Sequence, residues 1–91
     1  MTYEQSLLAI GACYTRAVAA HGGRSLARIS TIVVNQGSFF TRLGNGATCT
    51  AVNIERLAGF FGEPANWPLN FIPEDAAALL AGIGRPILMA G

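Results

Sequence analysis

The chain has 91 residues, a formal net charge of +1 and a hydrophobic fraction of 52%. This length suits one domain with a single small core. Charged residues make up only 12% of the chain, about half of ordinary usage. Because so few charges cannot cover the surface, we expect a second chain to cover part of it, and a homodimer is the first expectation. No run is long enough for a transmembrane helix. Glu4 stands where a signal peptide would have basic residues, so we do not expect a signal peptide.

Groups that could catalyse a reaction or bind a metal are sparse. Cys13 and Cys49 have no His or Cys neighbour at metal-ligand spacing, so we expect two small buried hydrophobes in a reducing compartment. The only histidine, His21, precedes a glycine pair and is expected to end a helix or to be solvated. Glu74 and Asp75 are adjacent and would diverge on a helix. We therefore expect no enzyme, no metal and no cofactor.

A first helix is predicted from a capping box formed by Thr2 and Gln5. Its apolar stripe recurs every three or four residues: Tyr3, Leu7, Ile10, Tyr14 and Ala17. We expect both tyrosines to lie in the core, and the sequence His21-Gly22-Gly23 to end the helix.

Two short helices joined by a tight polar turn are predicted between residues 24 and 46. Ser25 can cap the first of them, whose apolar positions are Leu26, Ile29, Ile32 and Val33. The turn is Asn35-Gln36-Gly37, of residue types that tolerate positive φ. Phe40 and Leu43 lie on the inner face of the next helix, which Asn45-Gly46 ends. Phe39 is either a second core anchor, which we favour, or an exposed ring that touches a thymine methyl.

Two further helices are predicted after residue 50. Thr50 caps the fourth helix, which has the apolar stripe Ile54, Leu57, Ala58 and Phe61 and ends at Gly62. Trp67 is expected to fill the bottom of the core. Pro73-Glu74-Asp75 opens a fifth helix that Gly84-Arg85-Pro86 stops. Its apolar residues and the apolar tail at 86–90 predict a dimer contact.

One part of this pattern resembles a known family. The segments Arg42-Leu43-Gly44-Asn45-Gly46 and Val52-Asn53-Ile54-Glu55-Arg56-Leu57-Ala58 resemble the second half of lambda-repressor-like (Xre/Cro-type) helix-turn-helix domains. The resemblance covers residues 24–62 approximately. It implies an all-α fold, a compact bundle of about five short helices that contains a helix-turn-helix. The domain division is then 1–66 for the helix-turn-helix and 67–91 for a C-terminal helix and tail.

The resemblance also implies a DNA interface on the third helix and its flanks. Residues expected to face the bases are Gln36, Gly37, Ser38, Thr41 and Arg42. Residues expected to face the sugar-phosphate backbone are Arg24, Ser25, Arg28, Asn45 and Thr48. Arg42 has two candidate partners, guanine and phosphate. Arg24 and Arg28 either meet phosphates or are merely solvated.

The expected function is that of a cytoplasmic, nucleoid-associated transcriptional regulator that binds double-stranded DNA as a homodimer, such as a repressor. The basic residues support it, since all six are Arg and five of them precede residue 62. Two other functions share the fold: a helical protein-interaction module, adaptor or antitoxin-like, and an excision or architectural factor of a mobile element. The low charge and the apolar tail favour the interaction module.

Overall fold

Residues 2–83, which the computed structural model describes, form five α-helices and two short 3₁₀ turns, with no strand among them. The helices are α1 (Tyr3–His21), α2 (Leu26–Val34), α3 (Phe39–Gly44), α4 (Ala51–Phe61) and α5 (Glu74–Gly82), and the 3₁₀ turns are Pro64–Asn66 and Pro68–Asn70. The radius of gyration is 12.0 Å, as expected for a compact chain of this length. The prediction of a compact all-α fold with about five helices is confirmed. None of the described helices has both the length and the hydropathy needed to span a bilayer.

Side-chain caps set the beginnings of three helices. Thr2 and Gln5 form the predicted capping box at α1. The Ser25 hydroxyl accepts a hydrogen bond from the Arg28 amide at 3.2 Å, at the start of α2. The Thr50 hydroxyl accepts a hydrogen bond from the Asn53 amide, also at 3.2 Å, at the start of α4. Each cap satisfies an amide that has no partner inside its helix, which is why these helices start where the sequence indicates.

An aromatic cluster forms the centre of the core. Phe61 is fully buried, and its ring centroid lies 5.5 Å from that of Tyr14 and 5.7 Å from that of Trp67. The indole N–H of Trp67 donates to the Phe61 carbonyl at 2.7 Å. The Phe40 ring reaches the same cluster from α3. Trp67 therefore fills the core as predicted, and its one polar atom is satisfied.

The C-terminal helix packs against α1 and shares this core. Ile72, Ala76 and Leu80 are buried, while Leu79 and Ile83 are partly buried against the same cluster. These apolar side chains thus have partners inside the protomer, and their predicted role in a dimer contact stays a prediction. Pro73 precedes the first residue of α5 and occupies its N-cap position. The stop predicted at Gly84-Arg85-Pro86 and the apolar tail at 86–90 lie outside the described residues.

Two residues assigned to the apolar stripes are exposed instead. Tyr3 is 55% exposed, because it lies in the first turn of α1, one turn before the fully buried Leu7. Ile32 is 52% exposed. The buried face of α2 is centred between Ile29 and Ser30, and at about 100° per residue Ile32 falls well to one side of it. The core position predicted for Tyr3 and the inner position predicted for Ile32 are therefore wrong.

Candidate nucleic-acid interface

The turn between α2 and α3 is fixed by one left-handed residue and one buried carbonyl. Asn35 has φ 56° and ψ 34°, a conformation that Asn tolerates better than most residues. The amides of Asn35 and Gln36 both donate to the carbonyl of Ser30, a fully buried residue. Gly37 does not have a positive φ, and its small size is what matters, because a Cβ there would lie 3.0 Å from the Thr31 hydroxyl oxygen. The chain therefore reverses closely against the side of α2.

The inner side of α3 is anchored in the core. Phe39, Phe40 and Leu43 are all buried, and Phe39 is only 5% exposed. This confirms Phe39 as a core anchor. Gly11 of α1 lets α3 approach, because a Cβ at that position would lie 2.9 Å from Cε1 of Phe40. With three anchors in six residues, α3 can neither rotate nor slide without opening the core.

The end of α3 is a Schellman motif centred on a glycine. Gly46 has φ 94°. Its amide donates to the Leu43 carbonyl at 3.1 Å, and the Ala47 amide donates to the Arg42 carbonyl at 3.1 Å. These are the two hydrogen bonds that define the motif. The helix end predicted at Asn45-Gly46 is confirmed, and the loop that follows it starts in a defined direction.

The outer side of α3 carries the polar residues. Gly37, Ser38, Thr41 and Arg42 are exposed, and Gln36 is half-buried. Within residues 2–83 the Arg42 guanidinium makes neither an ion pair nor a side-chain hydrogen bond. Its five N–H donors are therefore available to a ligand.

A cleft beside α3 brings some of the predicted residues together. Gln36, Arg42 and Thr48 line a space of about 120 Å³, together with Asn53 of α4. Two carboxamides, one guanidinium and the Thr48 hydroxyl thus line a single opening, and these are groups that bond to base edges and phosphates. Sequence reasoning assigned no role to Asn53. It follows the Thr50 cap by three residues, but its place beside α3 depends on how α4 packs.

The remaining predicted backbone contacts lie at two other places. Arg24, Ser25 and Arg28 are exposed at the start of α2, one helix length of about 13 Å from the turn. The Ser25 oxygen already serves as the cap of α2. Arg24 lines a separate cavity beside Tyr14. Asn45 is exposed at the end of α3.

Burial disfavours the thiolate form of both cysteines. Burial raises the pKa of the Cys49 thiol, and the charge of Glu4 raises it further. Both cysteines are free: Cys13 is buried as predicted, whereas Cys49 is only half-buried at the edge of the cleft. Among residues 2–83 no three His, Cys, Asp or Glu side chains gather into a group that could hold a metal ion.

Comparison with known proteins returned no match among family models, curated proteins or solved structures. A functional assignment therefore rests on the residues of this candidate site and on their geometry.

Proposed function

We propose that this chain is a sequence-specific DNA-binding regulator of transcription that acts as a homodimer and inserts α3 into the major groove. The observation that carries the proposal is the division of α3 into two sides. Phe39, Phe40 and Leu43 hold the inner side in the core, while Ser38 and Arg42 stand exposed on the other. A short, rigid helix with small polar groups and an Arg on its free side suits a groove about 12 Å wide.

The base-facing roles follow from the chemistry of each side chain. The Gln36 carboxamide can pair with adenine, and Arg42 can reach guanine or a phosphate. Ser38 and Thr41 can donate to or accept from several base edges, so each discriminates weakly. Gly37 supplies no base contact and allows a close approach.

The backbone-facing roles belong to groups on both sides of α3. Arg24, Ser25 and Arg28 at the start of α2 would hold one strand, and Asn45 and Thr48 the other. In a symmetric dimer the two copies of α3 would enter successive major grooves about 34 Å apart, on a roughly palindromic site. Repression by occupancy of such a site, in the cytoplasm at the nucleoid, is the simplest regulatory outcome.

Selection from a pool of random duplex DNA tests the proposal. We expect enrichment of a palindromic sequence, and affinity for it that falls at least about tenfold between 50 and 200 mM salt, since arginines displace counterions from phosphates. Failure to enrich any sequence, with binding to duplex DNA undetectable at 50 mM salt, would contradict the proposal.

A second candidate function is that of a protein-interaction module, and one observation favours it. Leu69 and Phe71 are 73% and 65% exposed, two residues apart on the same short segment, and neighbouring exposed apolar side chains are a common feature of protein interaction sites. An interface built on these side chains would bind its partner with little dependence on salt, unlike DNA binding. An excision or architectural factor of a mobile element would make the same DNA contacts as a regulator.

A further inference from the structure

A second cavity lies on another part of the molecule, where α1 ends, α2 begins and the Trp67 turn passes. Its volume is about 340 Å³, within the range of small-molecule sites. Its apolar lining includes Ile29, Phe60 and Trp67, and its polar lining includes Tyr14, Arg24 and Asn66. Apolar walls with a few polar groups are the usual composition of a ligand site.

Tyr14 is the first feature that points to a ligand. The residue is only 3% exposed, and its ring is held by Phe61 and Trp67 at centroid distances of 5.5 and 5.4 Å. Its hydroxyl makes no hydrogen bond within residues 2–83. Yet every fully buried side-chain N or O atom in residues 2–83 has a hydrogen-bond partner. The hydroxyl is therefore not fully sealed, and Tyr14 lines this cavity. Buried Tyr hydroxyls normally have a hydrogen-bond partner.

Arg24 and Asn66 supply the complementary groups. Burial raises the pKa of the Tyr14 hydroxyl, and the positive charge of nearby Arg24 lowers it in part. The Asn66 side-chain nitrogen donates to the Phe60 carbonyl at 2.9 Å. That bond fixes the carboxamide and leaves its oxygen as an acceptor. The cavity thus offers a cation, a hydroxyl donor and a fixed acceptor around an aromatic wall.

We propose that this cavity binds a small aromatic carboxylate. The carboxylate accepts hydrogen bonds from Arg24 and the Tyr14 hydroxyl, since charge-assisted bonds to a guanidinium are the strongest available here. The ring lies against the half-buried Phe60, close to the buried Trp67, and Asn66 accepts from a polar substituent. The ligand carboxylate and a DNA phosphate would then compete for Arg24. Ligand binding at this cavity does not depend on the proposed DNA binding.

Titration with phenylacetate tests the proposal, because Trp67 is the only tryptophan in the chain and reports on its own cavity. We expect a saturable change in Trp67 emission below about 10 mM, the affinity range of so small a ligand. The neutral analogue phenylacetamide should bind at least about tenfold more weakly, because it lacks the charge that Arg24 pairs with.

Three variants assign the contacts. Arg24→Met should raise the phenylacetate midpoint by about tenfold or more, and Tyr14→Phe by about fivefold, as expected for losing a charged and a single hydrogen bond. Arg16→Met is the matched control: it removes the same charge from an exposed residue that lines a different cavity, and it should leave the midpoint unchanged. Amide NMR shifts at Gly22 and Gly23, with Gly59 as the remote reference, give an independent readout. No saturation, equal binding of phenylacetamide, or equal effects of Arg24→Met and Arg16→Met would overturn the proposal.

Discussion

At the scale of single residues, a cluster that joins α1 to α5 lowers the pKa of one carboxyl group. The Cys13 thiol donates to Asp75 Oδ2 at 3.4 Å, and Arg16 lies 3.3 Å from the same oxygen. The thiol hydrogen bond, followed by the Ala76 amide, lowers the pKa of Asp75, and the Arg16 charge contributes least. Both members of the Arg16–Asp75 ion pair are largely exposed, so water and salt screen it.

Replacing Asp75 with Asn should flatten the acid side of the stability profile. A carboxyl whose pKa lies below its ordinary 3.8 contributes stability above that value and loses it as pH falls through the folded pKa. The free energy of unfolding of the parent chain should therefore fall more steeply than that of Asp75→Asn between about pH 4.5 and pH 2.5. Urea unfolding at both pH values measures this. An equal loss of unfolding free energy in the parent chain and in Asp75→Asn would show that the cluster does not lower the pKa of Asp75.

At the scale of elements, the contact between α1 and α3 depends on a glycine. A Cβ on Gly11 would lie 2.9 Å from Phe40 Cε1 and 3.1 Å from Leu26 Cδ2. Gly59 of α4 offers the opposite case, because a Cβ added there would have no atom of another residue within 4 Å outside its own helix backbone and chain neighbours. The two helical glycines form a matched pair for the same substitution.

Gly11→Ala should destabilise the domain by about 1–2 kcal/mol, because crowding Phe40 outweighs the better helix propensity of Ala. Gly59→Ala should stabilise it by about 0.5–1 kcal/mol, since only the propensity changes. Denaturant unfolding of both variants checks the pair. Stabilisation by both substitutions would mean that α1 and α3 are not in the close contact described.

The Thr50 cap makes a separate prediction for α4. Thr50→Ala should cost about 1 kcal/mol, whereas Thr50→Ser should cost little, because Ser retains the oxygen that accepts from the Asn53 amide. Thermal unfolding distinguishes the two variants. A loss of the same size in both would assign the effect to the Thr methyl group and not to the cap.

The sequence predicted the local features of these elements well. Caps such as Thr2 and Thr50, and the glycine end at Gly46, depend on residues within a few positions of one another. Features that depend on packing were missed. Ile32 is apolar but lies off the buried face, and Gly11 shows its role only once Phe40 is placed against it.

Side-chain clusters formed by residues far apart in the sequence could not be predicted either. Cys13 and Asp75 are 62 positions apart, and no sequence pattern links them. For α3, the predicted inner face and the family resemblance placed Ser38, Thr41 and Arg42 outward, where they are exposed. The sequence alone leaves the place of Phe39 open, with the core favoured. Asn53 reaches the neighbouring cleft from another helix, so the local pattern did not include it.

At the scale of the whole molecule, two exposed arginines lie in different environments. Arg16 faces Asp75 across the α1–α5 contact. Arg42 has no such partner within the described part of the chain and lines the cleft beside α3. Because removing either one lowers the net charge equally, the pair separates a local role at α3 from a general attraction of the chain to DNA.

The most direct test is therefore the affinity of Arg42→Ala and Arg16→Ala for a selected duplex and for a scrambled one at fixed salt. Arg42→Ala should weaken binding to the selected duplex by about 1–3 kcal/mol, while Arg16→Ala should change it little. If Arg42 reads a base, its loss should be smaller on the scrambled duplex; an equal loss would assign it to phosphate. Equal affinities of the two variants for the selected duplex would contradict the assignment of the outer side of α3 to DNA.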